Sequence, residues 1–563
     1  MSIAYCPFPT TFTSPTSFSM KNFFILFIFS FHHSYSQKLK KADKPIISNL
    51  QTHINFLADD KLEGRRAGSE GEKKASAYII DEFTKAGIAA KGENNTYLQE
   101  FEINDGRFVN PSSHFIINGN DFELNKEFFP LACCPNQSLE ATSALALQEG
   151  GEPWFFDLKE LLEKNKNNPH FDLDDAIKTK TNEVKKKGCT ALCLYNSSNI
   201  EDELKFEGKA KAEAAPIPVV YISKSAKNKY LKDETATLDI KLKILVEEKK
   251  RYGHNVIGFL NNGAASTVIL GAHYDHLGYG EDPGSLYTGE PAIHNGADDN
   301  ASGTAALIEI SKMLKASKFK NNNYLFISFS GEELGLFGSK YFTVHPTINL
   351  SSVGYMINMD MVGRLNDSTH GLTIGGYGTS PAWGETISSS DKYFTIKFDS
   401  SGTGPSDHTS FYRKDIPVLF FFTGLHSDYH KPTDDADKIN YTGELMVMKY
   451  ILKAIEANDK KGKPAFTKTR EMQMGSSTRF KVTLGIMPDY TFSGNGVRVD
   501  GIVDGKTAQK VGIKAGDVLV QLGEHKFSDL QTYMEALGKF NKGDATKVKL
   551  KRGNEEMSFD IVF

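Results

Sequence analysis

Several features that mark special protein classes are scarce in this sequence. No long basic block occurs, and 66 basic residues nearly balance 70 acidic ones, which gives no support to a nucleic-acid partner. The apolar run at 23–31 is too short to span a bilayer, so no stable membrane span is expected. The cysteine pairs 133/134 and 189/193 lack zinc-ribbon spacing and are interpreted as small buried core residues, with any disulfide pairing left open.

The N-terminal segment has the order of a secretory signal. Lys21 precedes the apolar run, and Ser34-Tyr35-Ser36 forms a small-x-small cleavage site before Gln37. This order predicts a signal peptide over 1–36, with Met20 as an alternative start and Cys6 lost on cleavage. We therefore expect an exported protein, periplasmic or extracellular. The alternative interpretation of the run is a buried hydrophobic segment.

The chain is long enough for roughly two to four domains. Its 39% hydrophobic and 24% charged residues are ordinary for a soluble globular protein. Changes of pattern along the chain predict an α/β domain in two parts, separated by a β-rich insertion and followed by a linker and a compact C-terminal unit. The predicted ranges are 37–109 and 251–457 for the α/β domain, 110–250 for the insertion, 458–474 for the linker and 475–563 for the last unit.

Within 251–457, strand and helix patterns alternate. Strands are expected at 267–272, 323–330, 353–360 and 416–422, and helices at 302–316 and 442–457. This order predicts a mostly parallel mixed sheet with helices on both faces. Ligand sites in such sheets lie beyond the carboxyl ends of the strands.

Potential metal ligands follow these strands or precede the next helix. They are His273 and Asp275, Asp298 and Asp299, Glu332 and Glu333, Asp360, and His430. Each alone has an ordinary structural explanation, such as a helix N-cap for an Asp. Together, however, so many carboxylates at one sheet edge would be prohibitive to bury without cations. Two imidazoles with three carboxylates suit a pair of divalent ions, zinc first.

The adjacent carboxylates Glu332 and Glu333 follow the strand expected at 323–330. A site for two metal ions needs a bridging carboxylate and one Glu of this pair as a ligand, so the second Glu of the pair is left over. The other carboxylate, facing water at the metals, would be a general base. The pair therefore predicts one Glu that holds metal and one that moves a proton; the alternative is a solvated surface turn.

The joint pattern resembles the di-zinc exopeptidases of the bacterial leucyl-aminopeptidase type, which are related to glutamate carboxypeptidase and transferrin receptor. The matching motifs are DDKLEGRRAGSEGEKKASAYI (59–79), AHYDHLG (272–278), NGADDNASGTA (295–305), SGEELGLFGS (330–339), NMDMVGR (358–364) and DYHKPTDD (428–435). The resemblance implies the zinc-exopeptidase (phosphorylase/hydrolase-like) fold and two Zn²⁺ per chain.

The same resemblance implies roles for individual residues. His273, Asp299 and Asp360 would bind one zinc and are called here the first set. Asp299, Glu333 and His430 would bind the other and are called the second set, with Asp299 shared. The remaining implied roles are general base for Glu332, orientation of His273 for Asp275, oxyanion stabilisation for Tyr429, and a position near the site for His408.

The implied activity is that of a secreted zinc aminopeptidase acting on peptide substrates. Water bridging the two ions would lose a proton to Glu332 and attack the scissile carbonyl. A carboxypeptidase or a glutaminyl-cyclase-like enzyme on the same scaffold is the alternative, and a non-catalytic receptor-like binding protein is a further one. Only Arg364 and Arg413 lie near the motifs, and this favours an aminopeptidase because a carboxypeptidase would use several arginines.

Two flanking domains are also implied. The insertion, with TALCLYN and APIPVVYIS, resembles a protease-associated domain that covers or narrows the mouth of the site, or packs passively. The C-terminal unit resembles a PDZ domain, with LGIMPDY (484–490) at the carboxylate-binding loop. Its groove is expected to bind a peptide C-terminus, or to serve packing or assembly alone.

Overall fold

The computed structural model describes residues 39–168, 171–209, 213–282, 284–388, 390–469, 482–488, 495–502, 505–528, 530–553 and 555–563. The predicted signal segment 1–36, including Cys6, lies outside these ranges. So do residues 470–474 of the predicted linker and the last two residues of LGIMPDY. Among the described residues, no helix has the length and apolar character needed to cross a membrane.

One mixed sheet forms the centre of the α/β domain. Its strands are β1 (Ala89–Ala90), β2 (Leu98–Val109), β11 (Val246–Leu260), β12 (Ser266–His273), β13 (Asn322–Phe329), β14 (Val353–Met359), β15 (Gly371–Gly375), β16 (Thr395–Phe398) and β17 (Val418–Phe422). Their order is β1-β11-β13-β12-β14-β17-β15-β16, with β2 also paired to β11. The central strands β13, β12, β14 and β17 run parallel, as predicted for this fold class.

Burial on both faces explains why the central strands read as continuous apolar runs. Every residue of β13 and β14 is buried. Helices cover the sheet: α1 (Asp43–Leu57), α2 (Glu70–Lys85), α6 (Gly303–Ala316), α7 (Phe337–Val344), α8 (Ala382–Thr386), α9 (His408–Tyr412) and α10 (Tyr441–Asn458). Such burial of side chains on both faces is the usual arrangement for parallel strands.

The insertion forms two small four-stranded sheets. One has the order β4-β3-β10-β6 and the other β5-β9-β8-β7. The bounds are β3 (His114–Ile117), β4 (Asn120–Asp121), β5 (Phe128–Pro130), β6 (Gln137–Ser143), β7 (Trp154–Asp157), β8 (Leu192–Tyr195), β9 (Val219–Ile222) and β10 (Leu238–Ile244), with helices α3 (Lys159–Asn165), α4 (Leu173–Lys186) and α5 (Lys224–Tyr230). The insertion is thus richer in helix than the sequence indicated. Strands β2 and β11 pair beside it and continue into the main sheet.

The C-terminal unit consists of mainly antiparallel strands and has its own apolar core. Its elements are β18 (Ile486–Pro488), β19 (Val497–Ile502), α11 (Thr507–Lys510), β20 (Val518–Leu522), β21 (His525–Lys526), α12 (Leu530–Leu537), β22 (Ala545–Arg552) and β23 (Glu555–Val562). The expected final hairpin is the full-length pair β22 and β23. Cys133, Cys134, Cys189 and Cys193 are free thiols, and all except the half-buried Cys133 are buried.

Candidate active site

The central parallel strands bring the predicted ligands to one edge of the sheet. His273 is the last residue of β12, Asp360 follows β14, and Glu332 and Glu333 follow β13 within three to four residues. Because parallel strands end on the same side, these side chains converge. Asp299 arrives from the irregular helical turn that precedes α6.

The first set is spaced as metal ligands are. Nε2 of His273 lies 3.3 Å from Oδ1 of Asp299 and 3.5 Å from Oδ1 of Asp360. Ligand atoms of a tetrahedral ion with bonds of about 2.0–2.1 Å lie about 3.3–3.4 Å apart. Both distances from His273 therefore match the spacing of ligands on one zinc-sized ion.

The second set has the same spacing on the other side of Asp299. Nε2 of His430 lies 3.1 Å from Oδ2 of Asp299 and 3.2 Å from Oε2 of Glu333. One carboxylate oxygen of Asp299 thus faces each set, which is the geometry a bridging ligand needs. The donor atoms present fit a pair of divalent ions.

Asp298 and Asp299 are adjacent in the sequence, but their side chains point to different parts of the structure. Asp298 turns away from both sets and accepts hydrogen bonds from Gly363 N and Ser302 Oγ. The backbone N–H groups of Asp298 and Asp299 both donate to Oδ2 of Asp434, at 3.0 Å each. Gly296 before them has φ +56°, and a Cβ there would lie 2.2 Å from the Asp299 carbonyl oxygen. The NGADD segment therefore needs its glycine to aim Asp299 at the ligands.

Asp275, Tyr429 and His408 take three different positions. Asp275 is fully buried beside His273 and Glu332: its Oδ1 accepts from the N–H of Glu332 and lies 3.7 Å from Nδ1 of His273. The ring of Tyr429 stacks on His430 with centroids 3.8 Å apart. His408 is buried against Phe420, with centroids 4.5 Å apart, and burial lowers its pKa to about 3.

His276 is a site residue that sequence reasoning missed. Its Nδ1 lies 2.7 Å from Oε1 of Glu333, and its ring is 5.8 Å from that of His430. Ligand-type atoms of His276, Asp299 and Glu333 also fall within 4.8 Å of one another. The 2.7 Å separation is a hydrogen-bond distance, shorter than the spacing of two ligands on one zinc. His276 therefore fits an orienting partner of Glu333 better than a ligand. Its presence inside AHYDHLG was the available signal.

Ser406 and Arg65 complete the surroundings. Ser406 Oγ donates to Oδ2 of Asp360 at 2.7 Å, which leaves Oδ1 for the first set, and Asn358 donates to Ser406. Arg65 is fully buried and donates to the carbonyl oxygens of Tyr274, Asn295 and Gly296. This guanidinium joins the strand end to the loop that carries Asp299. Neither residue belongs to a periodic pattern that a sequence reading could detect.

The environments of Glu332 and Glu333 drive their pKa values apart. Burial, together with the charges of Asp360, Asp407 and Glu333, raises the pKa of Glu332 well above its usual range, although His273 opposes the shift. Burial would also raise the pKa of Glu333, but His430 and His276 outweigh it and lower that pKa to about 2. Paired carboxyls with divergent pKa values mark one proton carrier and one permanent anion.

Glu332 also lies next to the first set. Ligand-type atoms of Glu332, His273 and Asp360 lie within 4.8 Å of one another. Asp407, fully buried nearby, has its pKa raised to about 7 by burial and by the charges of Asp275 and Asp360. An acidic carboxyl cluster thus surrounds the position from which Glu332 would exchange a proton.

Two regions of the chain match the models of known protein families. Residues 255–455 match the model of peptidase family M28, and residues 471–562 match that of a PDZ domain. Residues 255–455 therefore belong to the peptidase family M28 type, a family of metallo-hydrolases, and residues 471–562 to the PDZ type.

In the alignments with curated relatives, roughly a quarter of the aligned residues are identical. It is 27% identical to Aminopeptidase YwaD of Bacillus subtilis over 312 residues, which cover 52% of this chain and 62% of the relative. It is 26% identical to Leucine aminopeptidase 2 of Trichophyton rubrum over 268 residues, covering 41% of this chain and 50% of the relative. The chain thus spans less than two thirds of the length of these relatives.

The solved structures to which the chain is similar include a zinc aminopeptidase from Bacillus subtilis and an aminopeptidase from Aneurinibacillus sp. strain AM-1. The first is 20% identical, with a TM-score of 0.40 and coverage of 73% of this chain and 94% of the other. The second is 21% identical, with a TM-score of 0.40 and coverage of 75% and 95%.

Proposed function

We propose that this chain is an exported zinc aminopeptidase that removes N-terminal residues from peptides with two metal ions. The observation that carries the proposal is the pair of ligand sets sharing Asp299, beside a Glu332 whose pKa is raised. The similarity to Aminopeptidase YwaD and to Leucine aminopeptidase 2 supports the same activity.

The roles of this chain's own residues follow from their positions. Divalent ions bound there acidify water and polarise a peptide carbonyl. Glu332 takes the proton from the attacking water and returns it to the leaving amine, for which its raised pKa is suited. Asp275 fixes the backbone of Glu332 and the imidazole of His273. Tyr429 is proposed to assist the developing oxyanion beside His430.

The arginines near the site favour an aminopeptidase over a carboxypeptidase. Arg364 lies 3.3 Å from Oδ2 of Asp428, and buried Arg65 donates to backbone carbonyls. Arg413 is exposed at the end of α9. A substrate carboxylate calls for an arginine available to bind it, whereas a positively charged α-amino group suits the surplus of carboxylates at Glu332 and Asp407.

The substrate polarity can be tested with chromogenic aminoacyl anilides. We expect release of the chromophore from free-amino anilides, none from N-acetylated ones, and loss of activity after chelation with recovery on adding zinc. Equal rates on N-blocked peptides, or release of residues from the C-terminus, would contradict the proposal. Activity that survives exhaustive chelation would contradict its metal dependence.

The general base can be tested with Glu332→Gln. Turnover should fall by about 10²–10⁴-fold because the proton carrier is lost, while the metal content stays at the wild-type level. Glu201→Gln, at an exposed position in the insertion, is the matched control. A Glu332→Gln enzyme with near-normal kcat would exclude this role.

The PDZ domain is proposed to tether peptide substrates by their C-terminal carboxylates. Removing residues 475–563 should then raise KM on long peptides and leave dipeptide anilides unaffected. Equal effects on both substrate lengths would assign the domain to packing or assembly instead.

Export is proposed from the leader alone. Expression with residues 1–36 present should yield a protein outside the cytoplasm whose N-terminal sequence begins at Gln37. Retention of an uncleaved cytoplasmic chain would contradict the leader assignment.

A further inference from the structure

A buried charged cluster lies outside the ligand sets, where the insertion meets the α/β domain. Its centre is Asp282, of which 7% is exposed. Arg66 binds both of its oxygens at 2.8 Å, Arg251 binds Oδ2 at 3.0 Å, and Lys209 of the insertion binds Oδ1 at 3.1 Å. Burial would raise the pKa of Asp282, but these cations lower it to about 2.

The cluster continues through a second carboxylate, Asp105 of β2. Its Oδ1 lies 3.0 Å from both Arg66 and Arg251, and Lys249 lies 3.4 Å from its Oδ2. Two carboxylates with largely buried side chains thus pair with the guanidiniums of buried Arg251 and partly exposed Arg66, with two lysines at the edge. Breaking such a cluster on one side is costly because it leaves a buried charge without its partner.

Residues that follow Asp282 in the sequence contact His430 of the second set. Two residues further on, the carbonyl oxygen of Gly284 lies 2.8 Å from Nδ1 of His430. The N–H of Leu286 donates to the carbonyl oxygen of His430 at 3.0 Å. The other ring nitrogen, Nε2, faces Asp299 and Glu333. Gly284 and Leu286 therefore hold His430 at both its ring and its backbone.

The insertion contributes its own cation to this arrangement. Lys209 Nζ donates to the carbonyl oxygen of Glu281 at 2.8 Å as well as to Asp282. The preceding carbonyl, of Gly208, accepts from the N–H of Arg107 at 2.8 Å, which anchors this loop to β2. Through Lys209 the insertion thus binds Glu281 and Asp282, which precede the residues that hydrogen-bond to His430.

We propose that Asp282, held by Arg66, Arg251 and Lys209, is a positioning residue for His430, and that the insertion thereby controls binding of the second metal ion. Outer residues that orient a metal-binding imidazole commonly contribute 10–100-fold to affinity. His430 is a candidate ligand of the second set alone, so the ion of the first set should keep its affinity. This inference rests on the proposed function, because it takes the second set to be a metal site.

Metal titration of the full-length protein tests the inference without relying on activity. We would remove metal and measure zinc binding by competition with a chromophoric chelator, and cobalt binding by absorption. Lys209→Met and Asp282→Asn should each weaken one of two ions by roughly 10-fold or more and leave the other at wild-type affinity. Lys209→Arg, which keeps the charge, should restore the binding.

The matched control is Lys178→Met, because Lys178 is another insertion lysine and pairs with exposed Glu213 at 2.9 Å. Should Asp282→Asn fail to fold, Lys209→Met still decides, since Lys209 is about half exposed. Two wild-type affinities in Lys209→Met, or equal weakening of both ions, would overturn the inference. A wild-type protein that binds two ions but cleaves no peptide would overturn the proposed function and leave this inference standing.

Discussion

The two ligand sets share Asp299 but are supported in different ways. In the first set, His273 ends a buried strand and Nδ1 lies 3.2 Å from the carbonyl oxygen of Asp275, two residues away. In the second set, His430 lies in a loop with φ +54°, and its support comes from Gly284, which is distant in sequence. Ligands on strand ends are held by the sheet, whereas loop ligands depend on neighbours that can move. We therefore expect the first ion to be bound more tightly than the second.

Asp299→Asn should have the largest effect, because it removes the one ligand common to both sets. Both ions should weaken by more than the 10–100-fold typical of outer residues, and activity should be lost. Elemental analysis after gel filtration measures this. Retention of a full equivalent of zinc would show that Asp299 is not shared, and with it the comparison of two linked sets would fail.

His430→Ala and Asp360→Asn should separate the sets. His430→Ala should leave about one ion per chain, because the first set remains complete, and Asp360→Asn should disturb the tighter ion. Chelator titration of the wild type should show two steps, and only the weaker step should disappear in His430→Ala. A single step in the wild type, or loss of both ions in His430→Ala, would contradict unequal sets.

The pH dependence of metal binding should follow the imidazoles. Burial would lower their pKa values, but Asp360 and Glu332 around His273, and Glu333 and Asp299 around His430, raise both well above 6.5. A metal ion binds only neutral imidazole, so affinity should rise with pH through the raised pKa values as each ion displaces protons.

Stability of the metal-free protein should change in the opposite direction. Because the folded-state pKa values are raised, this contribution to stability is fully present below about pH 6.5 and is lost as pH rises through them. Thermal unfolding between pH 6 and 9, with and without zinc, measures both trends. Parallel pH trends for the two forms would refute the linkage, and His430→Ala should show a smaller dependence.

Ser406→Ala and His276→Ala should have the smallest effects on metal affinity. Ser406→Ala should affect only the ion of the first set, and His276→Ala only the ion of the second set. Ser406 fixes the oxygen of Asp360 and His276 that of Glu333, so each loss should weaken its own ion by about 10-fold. Loss of a whole ion in His276→Ala would instead make His276 a ligand of the second set. Ser368→Ala, at an exposed turn, serves as the control.

The fold and most of the candidate site were predictable because strand ends carry the chemistry. The apolar runs before His273, Glu332 and Asp360 mark buried parallel strands, and such strands end at one edge. The α/β class is confirmed, and the predicted ligands come together, although their roles stay predictions. The helices of the insertion were missed because α4 carries few apolar residues among many lysines, so its sequence looks like that of the neighbouring polar loops.

By itself, the sequence determined which residue types reach the sheet edge and in what order. Only the tertiary structure decided which oxygen of Asp299 faces each set, that His276 orients Glu333, and that Asp282 and Lys209 support His430. Hydrophobic periodicity is local and records burial along one element. Hydrogen bonds and ion pairs between distant segments depend on how loops pack against one another, and no local pattern encodes that packing.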